Sequence, residues 1–130
     1  MLRRRKVIPT DQRTKEQLRR LHWQRSPKGK WNAAKYQCAR RKDGRPFELT
    51  LDEFRMLMYS PCSYCGRKST IEEPNSVDRV DNDKGYTVAN TKSACYTCDH
   101  WKCTLTTEQF IQHARTIVKY NDEKMVIDSN

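Results

Sequence analysis

Apolar residues recur at helical spacing in three stretches of the chain, and each stretch predicts an amphipathic helix. These stretches are residues 30–42, 51–59 and 107–120. A Thr-x-x-Glu or Thr-x-x-Gln capping box precedes each of the last two and predicts where those helices begin. The third helix has a regular apolar stripe that we expect to pack in the core, made of Phe110, Ile111, Ala114, Ile117 and Val118.

The segment before residue 30 carries fewer apolar residues. A short helix capped by Thr10 or Asp11 is predicted to extend through Trp23. The Ser-Pro-Lys-Gly run of residues 26–29 is predicted to end this helix, because proline and glycine interrupt helices. No regular structure is expected over residues 1–9.

Between the second and third helices, the pattern of apolar and polar residues predicts a pair of short strands. The first strand spans residues 76–80, the turn residues 81–85, and the return residues 86–94. A short helix is then expected from Cys95 to about Cys103. The pattern therefore predicts an α+β fold in which two strands and a helix follow one another.

The composition allows only a small hydrophobic core. Only 35% of the 130 residues are hydrophobic, and the mean hydropathy is −1.04. A bound metal would stabilise such a chain where apolar burial falls short. No stretch approaches the roughly 18 apolar residues of a membrane span, and no apolar signal-peptide core follows the basic start. We therefore expect an intracellular protein of the cytoplasm or nucleus that is neither secreted nor embedded in a membrane.

Positive charge is concentrated in the first third of the chain. Residues 1–45 carry 16 Lys/Arg against 3 Asp/Glu, a net of +13, whereas residues 46–130 carry 10 against 13, a net of −3. Lys and Arg displace counterions from phosphates, so the basic segment predicts nucleic-acid binding. The alternative is a solvated tail. The residues expected to contact the nucleic acid are Arg3, Arg4, Arg5, Lys6, Lys35, Arg40 and Arg41.

Two Cys-x-x-Cys pairs, Cys62 with Cys65 and Cys95 with Cys98, have 29 residues between them. The two-residue spacing lets both sulfurs of a pair reach one ion, and two such pairs are typical of a structural zinc site. Two disulfides or four buried thiols are the alternatives, and a reducing compartment disfavours disulfides. We therefore predict that these four cysteines bind structural Zn²⁺.

These residues, taken together, resemble the zinc-containing HNH nucleases of phages and other viruses. That family has a ββα-metal, treble-clef-like core. The resemblance covers roughly residues 30–120 and is carried by Pro61-Cys62-Ser63-Tyr64-Cys65-Gly66, Val77-Asp78-Arg79-Val80-Asp81, Gly85-Tyr86, Asn90 and Cys95-x-x-Cys98-Asp99-His100-Trp101-Lys102. It implies a basic N-terminal arm over residues 1–29, an HNH-like zinc domain with flanking helices over residues 30–120, and a C-terminal tail over residues 121–130.

The resemblance also implies the roles of individual residues. Asp78 and Asp99 would bind a divalent cation, Mg²⁺ or Mn²⁺, whose preference for oxygen ligands suits two carboxylates. Asp99 stands where the family often has Asn or His. Asn90 would tie the loop between the strands.

Arg79 departs from the family, which places a histidine there as general base. An arginine stays protonated and cannot accept the proton. Arg79 could hold the scissile phosphate, or another group could act as base, with His100 and Asp81 nearest in sequence. The third possibility is that the site is degenerate, having lost catalysis and kept only binding.

The resemblance thus implies a metal-dependent endonuclease that hydrolyses phosphodiester bonds, with DNA favoured over RNA as the substrate and the choice between them left open. The alternatives are a catalytically degenerate zinc-dependent nucleic-acid-binding module and a structural zinc protein that docks on RNA. The oligomeric state stays open at this point.

Overall fold

The computed structural model describes residues 9–128. This part of the chain contains five α-helices and a two-stranded antiparallel sheet, and short 3₁₀ turns occupy Thr10–Gln12 and Val88–Asn90. The elements in chain order are α1 (Lys15–Arg25), α2 (Pro27–Arg40), α3 (Leu51–Tyr59), β1 (Ser76–Arg79), β2 (Thr91–Ala94), α4 (Tyr96–Lys102) and α5 (Thr107–Asp128).

The first two helices differ from the sequence prediction. α1 begins after Thr14, which forms a capping box with Gln17, and not at Thr10 or Asp11. Ser26 ends α1 and caps α2, whose first residue is Pro27. The first helix therefore ends where predicted, but the second begins at Pro27 and not at residue 30, because a proline is tolerated in the first turn of a helix.

Gly29 is buried inside the first turn of α2. A Cβ at this position would lie 2.1 Å from the carbonyl oxygen of Trp23, so the absence of a side chain lets α2 start close against the end of α1. The predicted boundary between arm and domain, at residues 29 and 30, thus lies within a helix that packs on α1.

α3 and the segment before it form the core. The predicted capping box of Thr50 and Glu53 is present, and the buried face of α3 presents Phe54 and Met58 to Leu49. Trp31 of α2 packs against this cluster and donates its indole N–H to the Leu49 carbonyl at 2.8 Å. The core is small, as the composition predicted.

The two strands pair with Asp78 opposite Lys92 and Arg79 opposite Thr91. β1 ends one residue earlier than predicted. β2 ends at residue 94 as predicted but begins only at residue 91, because the segment before it forms a 3₁₀ turn at Val88–Asn90. Tyr86 instead pairs with the chain before α3, accepting from the N–H of Glu48 at 2.8 Å. The sheet is thus joined to the core by backbone hydrogen bonds.

α5 contradicts one prediction directly. Its first turn packs on the domain through buried Thr107 and through Phe110, whose ring lies 5.3 Å from that of Tyr64. Residues 111–128 are exposed, so the prediction that the apolar stripe lies in the core was wrong. The helix also continues to Asp128, through most of the predicted tail.

The described residues contain no helix that is both long enough and apolar enough to cross a membrane.

Gly85 should be a sensitive position for stability. It is buried, and a Cβ there would lie 2.1 Å from the carbonyl oxygen of Pro46, so Gly85→Ala forces two backbone segments apart. We expect a loss of about 2 kcal/mol or more in unfolding free energy, measured by denaturant titration. Gly44→Ala is the comparison: it has open space around it, so only its positive φ opposes a side chain, and we expect a smaller loss of about 1 kcal/mol. Equal stabilities of the Gly85 variant and the native chain would contradict the close approach.

Candidate active site

The four predicted cysteines come together. The sulfurs of Cys62, Cys65, Cys95 and Cys98 all lie within 4.8 Å of one another, and those of Cys65 and Cys95 are 3.6 Å apart. Four sulfurs at about 2.3 Å from a tetrahedral zinc ion would be about 3.8 Å apart. The cluster therefore has the size and the ligand chemistry of a structural zinc site.

Local geometry explains how each pair forms its half of the cluster. The first pair follows α3 in a tight turn in which the Gly66 N–H donates to the Cys62 carbonyl at 2.9 Å. Gly66 has a φ of +76°, a conformation that glycine adopts without strain. The second pair starts α4, where Cys95 is the N-cap and its sulfur accepts from the Cys98 N–H at 3.5 Å.

The surroundings of the sulfurs favour a bound cation. Burial opposes ionisation of the Cys62 thiol, but backbone N–H groups aimed at its sulfur outweigh burial and lower its pKa to about 6. Burial and the neighbouring thiols raise the pKa of Cys98. Because thiolates are the metal-binding form, the Cys62 sulfur is prepared for a metal, whereas the Cys98 sulfur needs the charge of the metal to ionise.

Asp78 lies beside this cluster in β1 and is only 6% exposed. Its Oδ2 accepts from the Tyr64 hydroxyl at 2.8 Å, and that hydroxyl is 3.2 Å from Oγ1 of Thr107. Burial, with the Asp78 carboxylate close by, raises the pKa of Tyr64. Tyr64 is therefore a neutral donor that fixes the orientation of the carboxylate.

Lys102 is the residue that the sequence reasoning missed. Its side chain is fully buried, and its Nζ lies 3.3 Å from Oδ2 and 3.4 Å from Oδ1 of Asp78. The same Nζ donates to the Arg79 carbonyl at 2.9 Å. The available signal was helical spacing, since Lys102 lies one turn after Asp99 in α4 and so on the same face.

Asp99 is half-buried in the first turn of α4. Burial, followed by the negative charge of Asp78, raises its pKa, while the charge of Lys102 opposes the shift. Asp78, Asp99 and the ammonium group of Lys102 thus lie close enough for their charges to act on one another. Two carboxylates against one lysine leave a net negative charge, which suits a divalent cation with oxygen ligands.

Arg79, next to Asp78 in β1, makes contacts of a different kind. Its guanidinium lies 5.1 Å from the ring centre of Tyr86, and its Nη1 donates to the carbonyls of Asn82 and Lys84 at 3.3 Å. Consecutive strand residues point to opposite faces of a sheet. The guanidinium of Arg79 accordingly contacts the turn between the strands, and not the carboxylates of Asp78 and Asp99.

Asn90 ties this turn together. Its amide donates to the carbonyls of Asp81 at 3.0 Å and Gly85 at 2.8 Å, and its Oδ1 accepts from the Asp81 N–H at 3.0 Å. Asp81 itself accepts from the Asp83 N–H at 2.9 Å. Both side chains therefore hold the backbone of the turn.

His100 is exposed and stacks on Tyr96, one turn earlier in α4, with ring centres 5.1 Å apart. It is adjacent in sequence to Asp99, and a positive charge on its ring would lower the pKa of Asp99. His100 therefore lies at the rim of the carboxylate pair.

The predicted nucleic-acid contacts are only partly within the described chain. Arg3, Arg4, Arg5 and Lys6 lie outside the described residues. Lys35, Arg40 and Arg41 are exposed on α2 and at its end. Lys35 lies 4.2 Å from the ring centre of Trp31, and Arg40 lies 5.7 Å from that of Tyr36. This surface of α2 thus carries cations interleaved with aromatic rings.

Comparisons with known proteins add two findings. The chain is 39% identical, over 88 residues, to uncharacterized protein R423 of Acanthamoeba polyphaga mimivirus; the match covers 66% of this chain but 16% of that protein. No protein-family model matches the chain.

Among solved structures, the fold is similar to that of the rare-cutting HNH restriction endonuclease PacI, whose structure is described as showing DNA perturbation. The TM-score is 0.54 at 20% identity, and the match covers 73% of this chain and 78% of that one. The predicted fold class is confirmed: the chain is a small α+β protein with an HNH-like fold and a four-cysteine cluster suited to zinc.

Removal of one sulfur should remove the metal and the fold together. Cys98→Ser is expected to reduce bound zinc from about one ion per chain to near zero and to abolish cooperative thermal unfolding. Atomic emission spectroscopy and circular dichroism measure the two effects. Cys103→Ser is the matched control, because Cys103 is exposed and outside the cluster. Full zinc occupancy in Cys98→Ser would contradict the four-cysteine site.

Loss of the buried lysine should destabilise the domain strongly. Lys102→Met leaves the Asp78 carboxylate buried without its ammonium partner, and we expect a loss of about 3 kcal/mol in unfolding free energy. Adding Asp78→Asn in the same chain should restore most of that loss, since no unpaired charge is then buried.

Chemical denaturation of the single and double variants measures the coupling. Lys84→Met provides the control, because Lys84 pairs with Asp81 at 3.7 Å on the surface and should matter by less than about 1 kcal/mol. If Lys102→Met and Lys84→Met have the same effect, the buried ion pair does not support the fold.

Proposed function

We propose that this chain is a metal-dependent endonuclease that hydrolyses phosphodiester bonds in DNA. The observation that supports the proposal is that Asp78 lies close enough to Asp99 for its charge to help raise the pKa of Asp99, in a fold similar to that of an HNH restriction endonuclease. The four-cysteine cluster begins the helix that bears Asp99.

In the proposed reaction, Asp78 and Asp99 would hold Mg²⁺ or Mn²⁺ between them. When bound, such an ion polarises the phosphate and neutralises charge on the leaving oxygen. Tyr64 and Lys102 keep the Asp78 carboxylate in one orientation. Lys102 also offsets part of the negative charge that would otherwise repel a phosphate.

The proton acceptor is the open part of this proposal. Arg79 cannot accept a proton, and its guanidinium is engaged by the turn carbonyls. Asp81 is likewise engaged by the turn. His100 is exposed at the rim of the carboxylate pair, and a neutral imidazole can accept a proton near pH 7. Of the candidate bases named from the sequence, the contacts therefore favour His100.

The basic surface of α2 would supply affinity for the DNA backbone. Lys35, Arg40 and Arg41 are exposed there, and cations on such a surface bind phosphates regardless of sequence. We propose that this surface, with the basic start of the chain, positions the duplex and leaves the choice of base sequence to other contacts.

A second candidate is a nucleic-acid-binding module without catalysis. Lys102 already provides a cation to Asp78, and the position of the family's histidine is held by an arginine tied into the turn. Both observations fit a site that has kept its structure but lost its catalytic activity.

A plasmid-nicking assay with Mg²⁺ or Mn²⁺ separates the two candidates. Asp99→Asn is the informative variant, because it removes one carboxylate while Lys102 keeps its partner Asp78. We expect the native chain to nick supercoiled DNA and Asp99→Asn to do so at least about a hundredfold more slowly. Asp52→Asn, on the exposed surface of α3, is the matched control.

The measurement includes DNA affinity and zinc content for each variant. Native cutting that persists in Asp99→Asn would exclude this carboxylate pair as the site. A native chain that binds DNA tightly, with affinity that falls steeply as salt is raised, but never nicks it would establish the binding module instead.

A further inference from the structure

α5 has an apolar face that the described residues leave uncovered. The helix is 22 residues long, or about 33 Å at 1.5 Å per residue, and beyond its first turn it is exposed. Ile111, Ile117 and Val118 are 40%, 51% and 58% exposed. Most helices in proteins are stabilised by packing of one face, so we expect the apolar face of a helix of this length and pattern to pack against a partner.

The exposed face continues into an open groove of about 1050 Å³ between α4 and α5. Trp101, which is 74% exposed, and Leu105 line the groove together with Ile111 and Ala114. The apolar surface is therefore wider than one helical stripe. A contiguous exposed surface of this kind marks a protein interface more often than a solvated face.

The charges on α5 argue against a nucleic acid as the partner. The helix carries three Lys/Arg and four Asp/Glu, unlike the strongly basic first third of the chain. A polyanion would meet net negative charge here. The surface fits a protein with both signs of charge.

The pattern of charge on α5 is complementary to itself. Arg115 and Asp122 are seven residues apart and so lie on the same edge of the apolar stripe. When two copies of α5 run antiparallel, Arg115 of one copy lies beside Asp122 of the other, and the reverse pair forms by symmetry. In the same register, residue 118 of one copy lies opposite residue 119 of the other, so the two Val118 side chains lie next to the two-fold axis.

We propose that the apolar face of α5 is a homodimer interface, occupied by the antiparallel α5 of a second copy of this chain. The proposal is independent of catalysis, since it concerns mass and helix pairing and not the carboxylate pair. Two symmetric Arg115–Asp122 pairs set the register, and the apolar stripe supplies the buried area.

Sedimentation velocity on the full chain, from about 1 to about 100 micromolar, tests the proposal. We expect a species of twice the 15.5 kDa chain mass in the native protein. Val118→Asp should raise the dissociation constant at least about tenfold. Tyr120→Asp, on the opposite side of the helix and 66% exposed, is the matched control and should leave it unchanged.

Charge exchange tests the register. Arg115→Asp alone and Asp122→Arg alone each place like charges together twice, and each should weaken the dimer about tenfold. The double variant restores opposite charges and should regain the native dissociation constant. In a parallel pairing each residue would lie beside its own copy, so the single variants would leave the dissociation constant unchanged, and that result would overturn the antiparallel interface.

Zinc content and circular dichroism confirm that each variant is folded before its mass is interpreted. A native chain that stays monomeric at the highest concentration overturns the proposal. So does a Val118→Asp variant that keeps the native mass but loses affinity for DNA, because the face would then bind nucleic acid.

Discussion

The four-cysteine cluster is the constraint on which the rest of the domain depends. It joins the turn after α3 to the first turn of α4, two segments 30 residues apart in the chain. Backbone contacts reinforce the joint, since the Ser63 N–H donates to the Ser93 carbonyl at 2.8 Å. With a core built on only a few buried apolar side chains, the domain needs this link to fix where β1 and α4 meet.

Once α4 is fixed, one turn of helix accounts for the carboxylate site. Asp99 and Lys102 project from the same face toward β1, where Asp78 is held by Tyr64. Burial, followed by the negative charge of Asp78, raises the pKa of Asp99, and the charge of Lys102 offsets part of that shift. A largely buried site that retains net negative charge attracts a further cation.

Local patterns in the sequence were reliable where short-range chemistry decides the structure. The capping box of Thr50 predicted the start of α3, the cysteine spacing predicted the metal cluster, and Asn90 ties the turn as expected. The prediction that the apolar stripe of α5 lies in the core failed, because periodicity indicates that a helix has an apolar face but not what covers that face. Lys102 was missed because its burial results from the meeting of α4 and β1, which no local pattern describes.

Arg79, which stands where the family has a histidine, has a structural role in the turn between the strands. Its guanidinium connects the carbonyls of Asn82 and Lys84 and covers the ring of Tyr86, while Arg45 also donates to the Asn82 carbonyl. A histidine has too short a side chain and too few donors to make all these contacts. Hydrogen bonds from Asn90 and from two arginines, Arg45 and Arg79, thus hold the backbone of this turn. An arginine at this position has a structural reason, and its presence does not by itself indicate that the carboxylate pair is inactive.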